Sequence, residues 1–162
     1  MPARPFGVDD QHVIQALDAY VKLLRAGRAV LARVEPRLSA AGLTPTQFGV
    51  LEALLHRGPL SQRELSRKVL TSAGNMTDLV DKLEARGLIR RARQKQDRRA
   101  VQVELTQAGR ALVEPLFAAH AGDIAAVMGG LSGEELHRLS ELLRKLGLTA
   151  SGVPLEEAGE AH

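Results

Sequence analysis

At Gly87 the hydrophobic period of this chain changes from helical to extended, and that break constrains the fold more than any other feature. Upstream, "SQRELSRKVL" opens with Ser61 and Glu64 in the S-x-x-E spacing of a capping box, which starts a short helix. "TSAG" makes a turn, and "NMTDLVDKLEARG" forms a second helix with Met76, Leu79, Val80 and Leu83 on one face and Gly87 as its stop. Two short helices joined by a few small residues form a helix-turn-helix pattern. Downstream, "LIR" is short and β-like. "AVQVEL" alternates, with Val101, Val103 and Leu105 on one side and Gln102 and Glu104 on the other. Two strands joined by a charged loop, placed directly after a helix-turn-helix, predict a winged helix.

The remainder is helical. Val13, Leu17, Tyr20, Val21, Leu24, Leu31, Val34 and Leu38 recur at three- and four-residue spacing and predict a long helix over 9–39, with Pro36 and then Gly42 marking its end. Thr44 as N-cap, Pro45 in the first helical position and Gln47 completing a capping box start a second helix, which Gly58 and Pro59 stop. Thr106 caps a helix to about Met128, with Pro115 expected to kink it. Ser132 and Glu135 cap a last helix carrying Leu136, Leu139, Leu142, Leu143 and Leu146. The predicted class is mainly α with a small β-hairpin wing (α+β). Its divisions are an N-terminal helix (1–40), a winged helix-turn-helix lobe (41–105), C-terminal helices (106–147) and a flexible tail (148–162).

The core must be aliphatic, because aromatic residues are only 2% of the chain and Trp is absent, which favours helices. With no Cys, a disulfide framework, a thiolate zinc site and a cysteine redox switch are excluded. The N-terminal "MPARPFGVDD" lacks the apolar core of a signal peptide, and no apolar run reads as a membrane span, so a soluble cytoplasmic protein with no membrane partner is expected. Residues 61–100 hold 11 basic and 5 acidic residues, a net +6; the rest holds 11 basic and 14 acidic, a net −3. That basic centre coincides with the winged helix.

The coincidence predicts duplex DNA as the partner. A helix in the major groove reads bases from its N-terminal part, here Ser72, Ala73, Gly74, Asn75, Met76 and Thr77. Small residues allow close approach, Asn can pair bidentately with adenine, and Thr or Met can contact a thymine methyl. Ser61, Gln62 and Ser72 can hold phosphates. Between Arg90 and Arg99 six residues are basic and one, Asp97, is acidic. An Arg in a narrow minor groove is favoured by its negative potential, and a neighbouring carboxylate orients it in advance. Asp97 is expected to do this for Arg99, while Lys82, Arg91, Arg93, Lys95 and Arg98 neutralise phosphates.

The motifs "LTPTQFGVLEAL", "LSQRELSRKVLTSAGNMTDLVDKLEARGLIRR", "DRRAVQVELTQAGR" and "LSGEELHRLSELLRKL" resemble the MarR family of bacterial transcriptional regulators, from about Leu23 to Leu146. The D-x-R at Asp97-Arg98-Arg99, followed by a strand and "LTQAG", is the most specific of these signals. The resemblance implies an obligate homodimer built by the first, fifth and sixth helices. It further implies a regulator, expected to be a repressor, released from a pseudo-palindromic operator by a small aromatic or phenolic effector. The effector would enter between the dimerisation helices and the winged helix, near Tyr20, Leu24, Arg28, Phe48, Leu51, His56, Phe117 and His120.

Other classes fit less well. There is no Gly-rich phosphate loop or H-E-x-x-H, and Glu134-x-x-His137 occurs once where a di-iron bundle needs two copies, so neither enzyme nor cofactor is expected. A winged helix that binds protein or RNA would not need the Asn75–Thr77 surface. A metal sensor could draw on His12, His56, His120 and His137, but their scatter and the lack of Cys argue against a metal site.

Overall fold

The structure is a computed structural model; it describes residues 10–69, 71–93 and 101–151. The order of elements is α1 (Gln11–Ala40), α2 (Pro45–Arg57), α3 (Gln62–Lys68), α4 (Ala73–Ala85), β1 (Ile89–Arg93), β2 (Val101–Leu105), α5 (Gln107–Met128) and α6 (Gly133–Ser151). The chain forms two compact units, one reaching Ile124 and one starting at Ala125. The mainly helical class with a two-stranded antiparallel wing is therefore observed.

Most helix starts follow from their caps. Both capping boxes of the first unit are formed, Thr44 with Gln47 and Ser61 with Glu64. Ser72 caps α4 by accepting from Asn75 N at 3.2 Å, so α4 begins two residues before the expected Asn75. Ser132 and Glu135 exchange bonds of 2.8 and 3.3 Å at the start of α6. Gly87 ends α4 with φ +70°, and the bond from Leu88 N to Leu83 O (3.1 Å) closes a Schellman motif.

Two boundaries differ from expectation. Pro36 lies inside α1 rather than ending it; the stop is the same Schellman arrangement, Leu43 N to Leu38 O at 2.9 Å, around Gly42. α6 continues past Leu146 to Ser151, whereas α5 runs through Pro115 to Met128 as expected. One correction concerns the membrane. α5 holds an 18-residue stretch of mean hydropathy 1.3, long and apolar enough to cross a bilayer by length and composition. Its Val113 and His120 are nevertheless buried, and its Asp123 pairs with Arg37 of α1, as in a helix packed on protein.

The core of the first unit draws one or more residues from every element. Leu38 of α1, Phe48, Leu51 and Leu54 of α2, Leu65 of α3, Met76, Val80 and Leu83 of α4, Ile89 and Val103 of the wing and Val113 of α5 make one cluster. The wing strands pair with Ile89 opposite Leu105 and Arg93 opposite Val101. Of the alternating residues expected to face inward, Val103 is fully buried, Leu105 half-buried and Val101 exposed. A third strand position, not expected from the sequence, comes from Leu60, whose N and O bond to Val103 at 3.0 and 2.7 Å. The wing is thereby anchored to the segment before α3.

Thr106 and Gly109 join the wing to α5. Thr106 Oγ1 donates to Gly87 O at 2.6 Å and accepts from Gly109 N at 3.0 Å. A Cβ on Gly109 would sit 1.9 Å from Leu88 O, so only glycine allows α5 to start this close to the turn after α4. The physical content of "LTQAG" is that contact.

Candidate nucleic-acid interface

The N-terminal turns of α4 are exposed at Ser72, Ala73, Gly74, Asn75 and Thr77. Ser72 uses only its oxygen for the cap, leaving its proton for an outside acceptor. The Asn75 carboxamide has no bond among the described residues, as a base-reading side chain should before it meets DNA. A Cβ on Gly74 would meet nothing within 4 Å of the protein itself. Glycine is thus not required there by the fold, and the open space is on the outside.

One expected contact is corrected, and two others already have partners within the protein. Met76 has no exposed surface; the helical period that exposes Asn75 and Thr77 turns Met76 into the core, where it packs with Val80 and Leu83. Ser61 directs both its donors, N–H and O–H, at Glu64 Oε2 (2.7 Å each), so a phosphate would have to displace that carboxylate. These bonds, the backbone one first, hold Glu64 below the usual glutamate range.

Arg91 is the third. It is not a free cation: Nη2 meets Asp81 at 2.5 Å, Nη1 meets Glu84 at 2.5 Å, and its backbone N–H donates to Glu84 Oε1 at 2.8 Å. The hydrogen bond to Asp81 first, with Glu84 beside it, holds the guanidinium above its ordinary range. Its Nε also reaches Gln62 Oε1 at 3.3 Å, and Gln62 Nε2 reaches Thr77 Oγ1 at 3.1 Å. Gln62, Thr77 and Arg91, expected as separate DNA contacts, thus form one network across α3, α4 and β1. Sequence spacing gave no sign of it, because Asp81 and Glu84 read as ordinary helix-surface charges. Arg90 is likewise matched, by its cross-strand partner Glu104 at 2.5 Å. Lys82 pairs with Asp78 at 3.1 Å on the exposed face of α4, and Arg93 is exposed at the end of β1. Lys95, Asp97, Arg98 and Arg99 lie outside the described residues.

The expected effector residues separate into three groups. Phe48, Phe117 and His120 line a cavity of about 250 Å³, together with Leu31, Val34 and Leu38 of α1 and Ile124 of α5. His120 stacks edge-on to Phe48 with ring centroids 4.9 Å apart, and its buried Nδ1 has no hydrogen-bond partner among the described residues. His56 meets Phe117 edge-on at 4.6 Å and lines a neighbouring, more open cavity of about 490 Å³ with Arg57 and Lys68. Leu51 is wholly in the core and lines neither cavity. Tyr20, Leu24 and Arg28 are exposed on α1 and also line neither. The cavity meets α1 one to three turns further on, at Leu31, Val34 and Leu38, the last part of the apolar stripe. Among the described residues no three His, Asp or Glu side chains converge on one point.

Known proteins bear on this geometry. A sequence model described as MarR family matches residues 41–100, from just before α2 through β1 and up to the residue before β2. The HTH-type transcriptional regulator MhqR of Bacillus subtilis is 34% identical over 136 residues, which is 84% of this chain and 94% of that protein. A structure concerning regulation of DNA binding of Bordetella bronchiseptica BpsR by 6-hydroxynicotinic acid superposes with TM-score 0.69 at 31% identity, covering 80% of this chain and 98% of that one. CouR from Rhodococcus jostii, bound to p-coumaroyl-CoA, gives TM-score 0.74 at 25% identity over 80% of this chain and 91% of its own. With the winged helix-turn-helix, its open α4 face and these relatives together, the chain belongs to the MarR family: it is a DNA-binding transcriptional regulator and not an enzyme.

Proposed function

We propose that the protein is a cytoplasmic homodimeric repressor that binds a pseudo-palindromic operator and leaves it when a small aromatic molecule enters the cavity beside His120. The observation that carries the DNA part is the exposed first turn of α4, with the unpaired Asn75 amide beside an outward-facing Gly74. Each α4 would lie in a major groove, and the segment holding Asp97 and Arg99 would reach the flanking minor groove. Occupancy of such an operator denies the site to polymerase.

The dimer is supported by what one chain leaves uncovered. α6 has no buried residue, and Leu142, Leu143 and Leu146 are exposed on it. On α1, Tyr20, Leu23 and Leu24 are exposed too, and only 11% of the apolar stretch of α5 is buried. A second copy is the simplest cover for these stripes, with 1–40 and 106–147 serving dimerisation around the lobes of 41–105.

The effector is supported by the cavity's chemistry. Its wall is mostly aliphatic and aromatic, with the Glu35 and Glu52 carboxylates also lining it, and the buried His120 Nδ1, which has no partner among the described residues, can form one hydrogen bond with a hydroxyl or ring nitrogen. The 6-hydroxynicotinic acid that regulates BpsR and the p-coumaroyl-CoA bound to CouR both contain a hydroxylated aromatic ring. The cavity lies between α1, α2 and α5, so a ligand there would set the angle at which each lobe meets the dimer helices. It weakens DNA binding only by its differential affinity for the two arrangements; a tenfold loss needs about 1.4 kcal/mol.

Selection of bound fragments from host genomic DNA tests the reading. The expected product is an inverted repeat with half-sites about 10 bp apart, bound by two chains. Recovery of RNA, of unrelated sequences, or of a single half-site held by one chain would contradict it.

A further inference from the structure

Thr77 stands on the exposed side of α4, but its hydroxyl already has occupants on the protein. Oγ1 donates its proton to Ala73 O at 3.1 Å and accepts from Gln62 Nε2 at 3.1 Å. Gln62 could in principle turn its amide over and offer an oxygen instead. Arg91 prevents this: its Nε–H points at Gln62 Oε1 (3.3 Å), and a turned amide would place N–H against N–H there. It would also face Thr77 with an oxygen while the Thr77 proton is committed to Ala73. Arg91 cannot readily yield, being held by Asp81 and Glu84 at 2.5 Å each. The order Asp81/Glu84–Arg91–Gln62–Thr77 therefore fixes which donor and which acceptor each group presents.

The consequence concerns specificity. With its proton spent, Thr77 cannot donate to the O6 and N7 acceptors of guanine or to O4 of thymine; outward it presents its γ-methyl group and the second lone pair of Oγ1. Met76, also suited to a methyl contact, is in the core, which leaves the exposed Ala73 methyl as the alternative that Thr77→Ser separates. From these positions we infer that Thr77 reads the 5-methyl group of a thymine in the major groove, and that Arg91 and Gln62 are positioning residues that set this preference without touching the base. The inference rests on the reading that α4 enters the groove.

The test replaces, one at a time, each thymine of the selected duplex by deoxyuridine, which removes only the 5-methyl. Wild-type protein should lose about fourfold in affinity at one position per half-site, the worth of burying one methyl group. Thr77→Ser keeps the hydroxyl and its bonds but removes the methyl, and should lose that ratio. Gln62→Met removes the amide without touching the ion cluster, and Arg91→Ala removes the anchor. Both should reduce the thymine-to-uracil ratio, with the fold verified by circular dichroism. A lower overall affinity with an unchanged ratio in Gln62→Met would overturn the positioning role. A wild type with no uracil-sensitive thymine, or a Thr77→Ser that discriminates as before, would overturn the methyl contact. Failure of the underlying reading looks different: Asn75→Ala would then leave the affinity for the selected duplex unchanged.

Discussion

Arg91 holds Glu84 twice, by its backbone N–H and by its guanidinium, at 2.8 and 2.5 Å. One bond continues the wing strand and the other belongs to its side chain, so a single carboxylate at the end of α4 sets both the position and the direction of β1. With Asp81 on the same guanidinium, the angle between recognition helix and wing is fixed by ionic contacts that are only partly exposed. Glu84→Ala should lower stability by about 1–3 kcal/mol, the range for losing hydrogen bonds to a charged group. Thermal melting checks this, and Glu84→Gln, which keeps an acceptor for the backbone N–H, should recover part of the loss.

Gly109→Ala should destabilise by at least about 1–3 kcal/mol, because the new Cβ meets the Leu88 carbonyl, and backbone cannot move aside as a side chain can. Gly122→Ala, in the same helix but with nothing within 4 Å, should stabilise by about 0.5–1 kcal/mol. Equal shifts in melting temperature for the two would remove the Gly109 contact from the account.

Gly74→Ala separates folding from binding. The added methyl has open space in the protein and improves helix propensity by up to about 1 kcal/mol. Stability should rise while affinity for the operator falls. A variant both more stable and equally tight on DNA would show that the α4 backbone does not approach the groove at this point.

Acid should weaken the start of α3 specifically. Ser61 holds the Glu64 carboxyl below its ordinary value of 4.5, so the charged form is favoured in the folded chain. For a depressed acid the stabilisation is full above the ordinary value and is lost as pH falls through the lower, folded one. Glu64→Gln keeps a capping acceptor that does not titrate. The gap in melting temperature between wild type and Glu64→Gln should therefore be constant near neutrality and shrink below about pH 4.5; a gap that widens in acid contradicts the assignment.

His120→Phe tests the cavity. Removing a buried nitrogen without a partner should leave the free protein as stable or more so. The response of the DNA complex to phenolic compounds should be lost in that variant and unchanged in Arg28→Ala, since Arg28 does not line the cavity. A response that follows Arg28 and ignores His120 would put the effector elsewhere.

Caps, turns and periods made the fold legible. Thr44, Ser61, Gly87 and Ser132 act through neighbours three or four residues away, and such local signals survive in sequence. The exposed pair Asn75 and Thr77 was legible from the same period, although that period also places Met76 inside, which residue chemistry alone overlooked. Contacts between distant segments were not legible. Gln62 meets Arg91 across 29 positions and Arg37 grips Asp123 across 86, and neither pair stands out among other surface charges. The partners of the basic run were hidden for the same reason: nothing in the sequence puts Glu104 beside Arg90, or Asp81 and Glu84 beside Arg91.

Hydroxyl-radical footprinting of the selected operator measures most directly whether two copies of α4 read DNA. Wild-type protein should protect two patches about 10 bp apart on one face of the duplex. Asn75→Ala should fold normally and lose both patches together at the same concentration. Protection of one patch only, or a wild-type pattern retained by Asn75→Ala, would contradict a symmetric dimer reading its operator through α4.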